Sequence, residues 1–166
     1  MLPPDSSAVG TSLQQQLMPL IERAKAMATL QGRPWLGPDN WPAWATESAR
    51  VTATAEIVAN LLENAFRYSP SGTAIGLMAL PDGLCIWDEG PPIDADERDA
   101  IFQEGVRGRR GRDRPGTGLG LALARQLAEN DGGTLELCVE PSRLAAELPE
   151  QGNAFHLTWS EPEAPT

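Results

Sequence analysis

Asn60, Asn64, Arg67 and Tyr68 lie three or four residues apart along the run N-L-L-E-N-A-F-R-Y-S-P (60–70), so a helix there would line them up on one ridge. Ile57, Val58, Leu61, Leu62, Ala65 and Phe66 fill the adjoining arc at helical spacing. The polar ridge therefore borders the buried face, which is where a pocket wall belongs. Carboxamide oxygens are neutral hard ligands, suited to a magnesium ion that keeps phosphates and waters as its other ligands. Arg67 and Tyr68 can reach phosphate oxygens by charge and by hydroxyl. An amphipathic helix with a polar shoulder and no ligand fits the same letters.

A second motif is the turn Gly116, Thr117, Gly118, Leu119, Gly120, Leu121, which opens a helical pattern. Backbone amides at a glycine-rich helix start form an anion site. A dinucleotide fingerprint would need glycine where Leu121 stands. A Walker loop or a protein-kinase β3 motif would need a lysine, and Lys25 is the only one in the chain. Asp88, in C-I-W-D-E-G-P-P-I, ends an apolar strand-like run. A carboxylate there can accept from an adenine amino group and reject guanine, although a surface-turn aspartate would read alike. Taken together, the three motifs describe a site for ATP with magnesium.

Composition sets the frame. The 166 residues suit one domain, and an apolar share of 41% is ordinary for a globular chain. The net charge of −10 disfavours nucleic acid as a partner. Arg107, Arg109, Arg110, Arg112 and Arg114 nevertheless make a local basic island, either a receptor for a small polyanion or a solvated loop. No apolar run approaches membrane-spanning length and the first residues lack a secretory pattern, so neither membrane contact nor secretion is expected. Cys85 and Cys138 sit in apolar runs without metal-site spacing, as buried thiols in a reducing cytoplasm would. His156, the only histidine, falls in an alternating strand pattern.

The patterning predicts helices over about 12–29 (or starting at Pro19), 49–68, 94–102 and 119–130. Strands are expected near 73–80, 83–87, 134–139 and 154–159, with a short one possible at 44–46. The helix at 119–130 should bury Leu119, Leu123, Ala124, Leu127 and Ala128. This is an α+β fold, a two-layer sandwich of a mixed, mostly antiparallel sheet with helices on one face. Residues 1–11 and 161–166 read as tails around one domain at 12–160.

The order and spacing of these motifs resemble the catalytic and ATP-binding domain of two-component sensor histidine kinases, the Bergerat or GHKL fold. N-L-L-E-N-A-F-R-Y-S-P is similar to that family's N box, D-E-G-P-P-I to its G1 box, and I-F-Q-E-G-V-R-G to its F box. G-T-G-L-G-L-A-L-A-R-Q-L-A-E-N-D-G-G resembles its G2 box. The resemblance implies Asn64 as the magnesium ligand, with Asn60, Arg67 and Tyr68 on the phosphate side. It also implies Asp88 and Gly90 at adenine, Ile93 packed on the ring, a lid at about 103–116, and Arg107 aimed at the phosphates.

Four positions depart from the family pattern: Pro92 and Gly105 replace a glycine and an aromatic, Asp131 a histidine, and Asn153 a serine or threonine. The resemblance implies transfer of the γ-phosphoryl group of Mg·ATP to a histidine on a separate dimerisation hairpin. A response regulator would be served indirectly, and the isolated domain would be monomeric. His156 cannot be the acceptor, so transfer would be in trans. Gyrase-like ATPases and anti-sigma-factor kinases carry a glutamate base where this chain has Asn60, which cannot accept a proton. Those classes and a degenerate nucleotide-binding scaffold are the alternatives.

Overall fold

The computed structural model describes residues 12–38, 40–46, 53–103 and 120–159. Helix α1 (Leu13–Leu30) starts at a capping box: the Gln15 amide donates to Ser12 Oγ, and the Ser12 amide donates to Gln15 Oε1. The helix therefore does not begin at Pro19, which lies inside it on the exposed side. Strand β1 (Trp35–Leu36) follows, within a stretch whose composition reads as loop. Helix α2 is the single turn Ala43–Thr46, set where a short strand was considered, and its Ala45 amide bonds back to Pro42.

Helix α3 (Thr54–Tyr68) buries Ile57, Val58, Leu61, Leu62 and Ala65 and stops at Ser69, before Pro70. Strands β2 (Ile75–Leu80) and β3 (Gly83–Asp88) form a hairpin whose last register pair, Leu80 with Gly83, leaves Pro81 and Asp82 as the turn. A 3₁₀ turn, Ala100–Phe102, stands where a longer helix was expected. Helix α4 (Gly120–Asn130), strand β4 (Gly133–Cys138) and strand β5 (Asn153–Trp159) complete the elements.

The five strands form one sheet in the order β1-β2-β3-β5-β4, parallel only between β1 and β2. Gly76 makes the parallel edge possible, because a Cβ there would lie 1.8 Å from the Leu36 carbonyl oxygen. The period of two along β3 sends Leu84 and Ile86 into the main core with α1, α3 and α4, and Cys85 and Trp87 to the opposite face. That opposite face is also covered. The connection from β4 to β5 carries Leu144, Ala145 and Leu148 back over Leu80, Cys85 and Ala154. The architecture is thus the expected α+β sandwich with an added flap of chain on its outer face. On α4, Ala124 and Ala128 are buried, but Leu123 is 44% exposed instead of lying on the buried face.

Candidate nucleotide site

The alternation that buries Leu84 and Ile86 continues to Asp88, the last residue of β3, so its carboxylate faces the helical layer. Asp88 is 1% exposed and accepts the Gly90 amide at 2.8 Å. Gly90 sits tightly against the end of α3: a Cβ on it would lie 3.0 Å from Pro70 Cδ and 2.8 Å from Asp88 Oδ1. The buried carboxylate and the C-terminal end of α3 therefore share one corner of the fold.

One and two turns back along α3 are Asn64 and Asn60. Both Nδ2 atoms are buried and lack a hydrogen-bond partner among the described residues. An orphaned buried donor costs about 1–3 kcal/mol. The two on successive turns of α3 are donors that the acceptor oxygens of a ligand could satisfy. This donor set fits Mg·ATP: the amide nitrogens can donate to phosphate oxygens, and a carboxamide oxygen can hold the hard cation.

Arg67 turns to the other flank. Its guanidinium donates to Glu63 Oε1 at 2.6 Å, and both residues line a groove of about 490 Å³ between α1 and α3. Tyr68 is half-buried in the last turn. Ile93 is buried in the main core near Ile101 and Phe102, its carbonyl accepting from Arg98 Nε at 3.1 Å. Phe102 is anchored edge-on to Phe155 at 6.0 Å, with the Arg125 guanidinium 4.2 Å from its ring centroid.

Helix α4, packed on the core through Ala124 and Ala128, is also tied to α3 at its far end. The Ala53 amide, at the start of α3, donates to Asp131 Oδ2 at 3.0 Å, just past the end of α4. Asp131, a departure from the family pattern, thus puts a carboxylate at the N-terminus of α3. The two helices pack together. Leu121 packs against the core. Arg107, Gly116, Thr117, Gly118, Leu119 and the arginine-rich segment lie outside the described residues.

Two residues behind the site had no sequence signal as a pair. Arg33 is only 5% exposed; its Nε donates to the Thr73 carbonyl at 2.9 Å, and its Nη2 donates to the Ser69 hydroxyl. Burial pulls its pKa down from the ordinary value, and the nearby Asp88 carboxylate works against that shift. Its partners are thirty-six and forty residues away, so no local motif announces it. Asn153, noticed in the sequence only as a departure, is fully buried and pairs in register with Asp88.

Fold and site together define an ATP-binding domain of the kind shared by several ATPase groups. The sequence profile of the family described as histidine kinase-, DNA gyrase B- and HSP90-like ATPase matches residues 50–163, and the chain belongs to that family. It is 35% identical over 133 residues to the sensor histidine kinase Hik2 of Thermosynechococcus vestitus, covering 75% of this chain and 34% of that protein. It is 34% identical to the sensor protein KdpD of Escherichia coli, covering 66% of this chain and 12% of KdpD. The chain thus spans about a third or less of these relatives. Among solved structures, the mycobacterial sensor histidine kinase MprB superposes with a TM-score of 0.68 at 25% identity, covering 90% of this chain and 95% of that one. The catalytic domain of histidine kinase ThkA shares the fold at a TM-score of 0.64 and 19% identity, covering 88% and 92%. No helix among the described residues is long and apolar enough to cross a membrane.

Proposed function

We propose that this domain binds Mg·ATP and delivers the γ-phosphoryl group to a histidine on a partner helical hairpin. The observation that carries the proposal is the pair of buried, unpartnered amide nitrogens on α3, one and two turns from the corner that holds Asp88. In this reading Asp88 accepts from the adenine amino group, while Gly90 and Ile93 form the base-side wall. Asn64 holds magnesium, which would neutralise charge on the phosphates. Asn60 and Tyr68 donate to phosphate oxygens, and Arg67 does so once it leaves Glu63. Arg107 and the amides of Gly116, Thr117, Gly118, Leu119, Gly120 and Leu121 would donate to the triphosphate.

The chemistry demands little beyond placement and charge. A nitrogen lone pair of the partner's imidazole forms the P–N bond as the P–O bond to ADP breaks. No proton need be removed before attack, which suits a site with Asn60 where an ATPase would carry a base. Glu63 fits this reading, because it is exposed and lines the groove between α1 and α3, on the far flank of the helix. The names of the relatives, sensor histidine kinases, support the same reaction. A response regulator would then receive the group from the hairpin, and the domain would act in the cytoplasm.

The test mixes the domain with its cognate histidine-bearing hairpin and γ-labelled ATP. Label on the hairpin histidine is expected. ATP binding without transfer would make this a scaffold, and steady phosphate release without the hairpin would make it an ATPase.

A further inference from the structure

One buried side chain bonds the base-side loop at two points. Asn153 opens β5 on the same sheet face as Phe155 and Leu157, opposite Asp88 in the β3–β5 ladder. Its Oδ1 accepts the Ile93 amide at 2.9 Å, and its Nδ2 donates to the Pro91 carbonyl at 2.8 Å. Pro91 and Pro92 have no N–H, so Ile93 offers the only backbone donor in residues 91–93, and Asn153 takes it. The preceding residue tightens the grip. Gly152 has φ 154°, and a Cβ there would lie 2.3 Å from the Asp88 carbonyl oxygen. Asn153, at 0% exposed, has both ends of its amide committed to the loop.

We infer that Asn153 is a positioning residue for base recognition, clamping Pro91–Pro92–Ile93 so that Asp88 and Gly90 present a fixed edge to adenine. The inference rests on the proposed nucleotide site and adds a division of labour within it. Asn153 acts on the base end alone, through the loop and without touching the ligand. Pro92 and Asn153 are then one device: the proline removes a flexible hinge, and the carboxamide supplies the anchor that a stiffened loop can use. Releasing the clamp would loosen the residues next to Gly90, whose amide donates to Asp88.

Asn153→Leu removes both hydrogen bonds at similar volume. Asn153→Ser, which is smaller and still polar, covers the case in which the first variant does not fold. The full chain and both variants are titrated calorimetrically with Mg·ATP and with magnesium tripolyphosphate, which has no base, and melted without ligand. Affinity for ATP should fall roughly tenfold while tripolyphosphate binding stays within about twofold of wild type, so the ratio of the two affinities moves. Equal weakening of both ligands, or an unchanged ratio in a folded variant, would overturn the inference while leaving the nucleotide site intact. Wild-type protein that binds no ATP would overturn both.

Discussion

Asn60 and Asn64 stand one helical turn apart on α3, each with a buried Nδ2 that no described residue satisfies. Each such donor carries a cost that the acceptor oxygens of a ligand would relieve. Replacing Asn64 by leucine, close in shape and a better helix former, should therefore hold or raise the stability of the empty protein by up to about 1 kcal/mol. The same variant should lose Mg·ATP binding. Thermal melts with and without nucleotide check both halves; a drop of several degrees without ligand would mean that the carboxamide is structurally satisfied.

Arg33 ties three segments together: the turn after α1, the C-terminus of α3 at Ser69, and the approach to β2 at Thr73. Its guanidinium also lies 5.4 Å from the Phe66 ring centroid. Arg33→Met keeps much of the apolar stem and removes these charge-assisted bonds. A loss of about 2–3 kcal/mol in urea unfolding is expected. Stability within a few tenths of a kcal/mol of wild type would show that the buried cation is incidental.

The two thiols should differ in reactivity. Burial, with a smaller contribution from nearby Cys138, pushes the Cys85 thiol well above the ordinary range. Cys85 is also fully buried, so the folded protein shields it from reagents. Cys138 is partly buried, and its thiol donates to the Glu140 carbonyl at 3.2 Å. A thiol reagent at neutral pH should modify Cys138 first and Cys85 only with denaturant. Equal fast labelling of both in native protein would contradict the closed outer face.

Gly76 admits no side chain beside the Leu36 carbonyl. Gly76→Ala should detach the two-residue β1 from the sheet edge and cost about 1–3 kcal/mol. Hydrogen exchange should register it as lost protection at Ile75, whose amide bonds to the Pro34 carbonyl. Unchanged protection there would mean that β1 contributes nothing to the edge.

How much of this was legible depends on range. Helix α3 and the β2–β3 hairpin could be read from spacing and turn letters, because their signals are local: an apolar arc of 3.6 period, and two residues between alternating strands. The start of α1 near Ser12 is also in the letters, through the apolar spacing from Leu13 and the S-x-x-Q of Ser12 and Gln15, with Pro19 as the competing signal. Strand β1 was invisible because two residues carry no period and exist only through the parallel pairing with Ile75 and Gly76. At 44–46 the apolar letters could not distinguish a strand from the single turn that packs Trp44 against Trp159 at 5.7 Å. Within the site, Asp88 and the two asparagines announced themselves through chemistry at helical or strand-end positions. Arg33 and the clamp at Asn153 did not, since each works through partners brought near only by the sheet.

The central claim is tested most directly by calorimetric titration of the full chain with ATP, with and without magnesium, beside Asp88→Asn. Wild type should bind saturably and more tightly with magnesium present, and Asp88→Asn should weaken that binding at least tenfold, about 1.4 kcal/mol. No saturable heat from wild type, or an Asp88→Asn variant that binds ATP as wild type does, would contradict it.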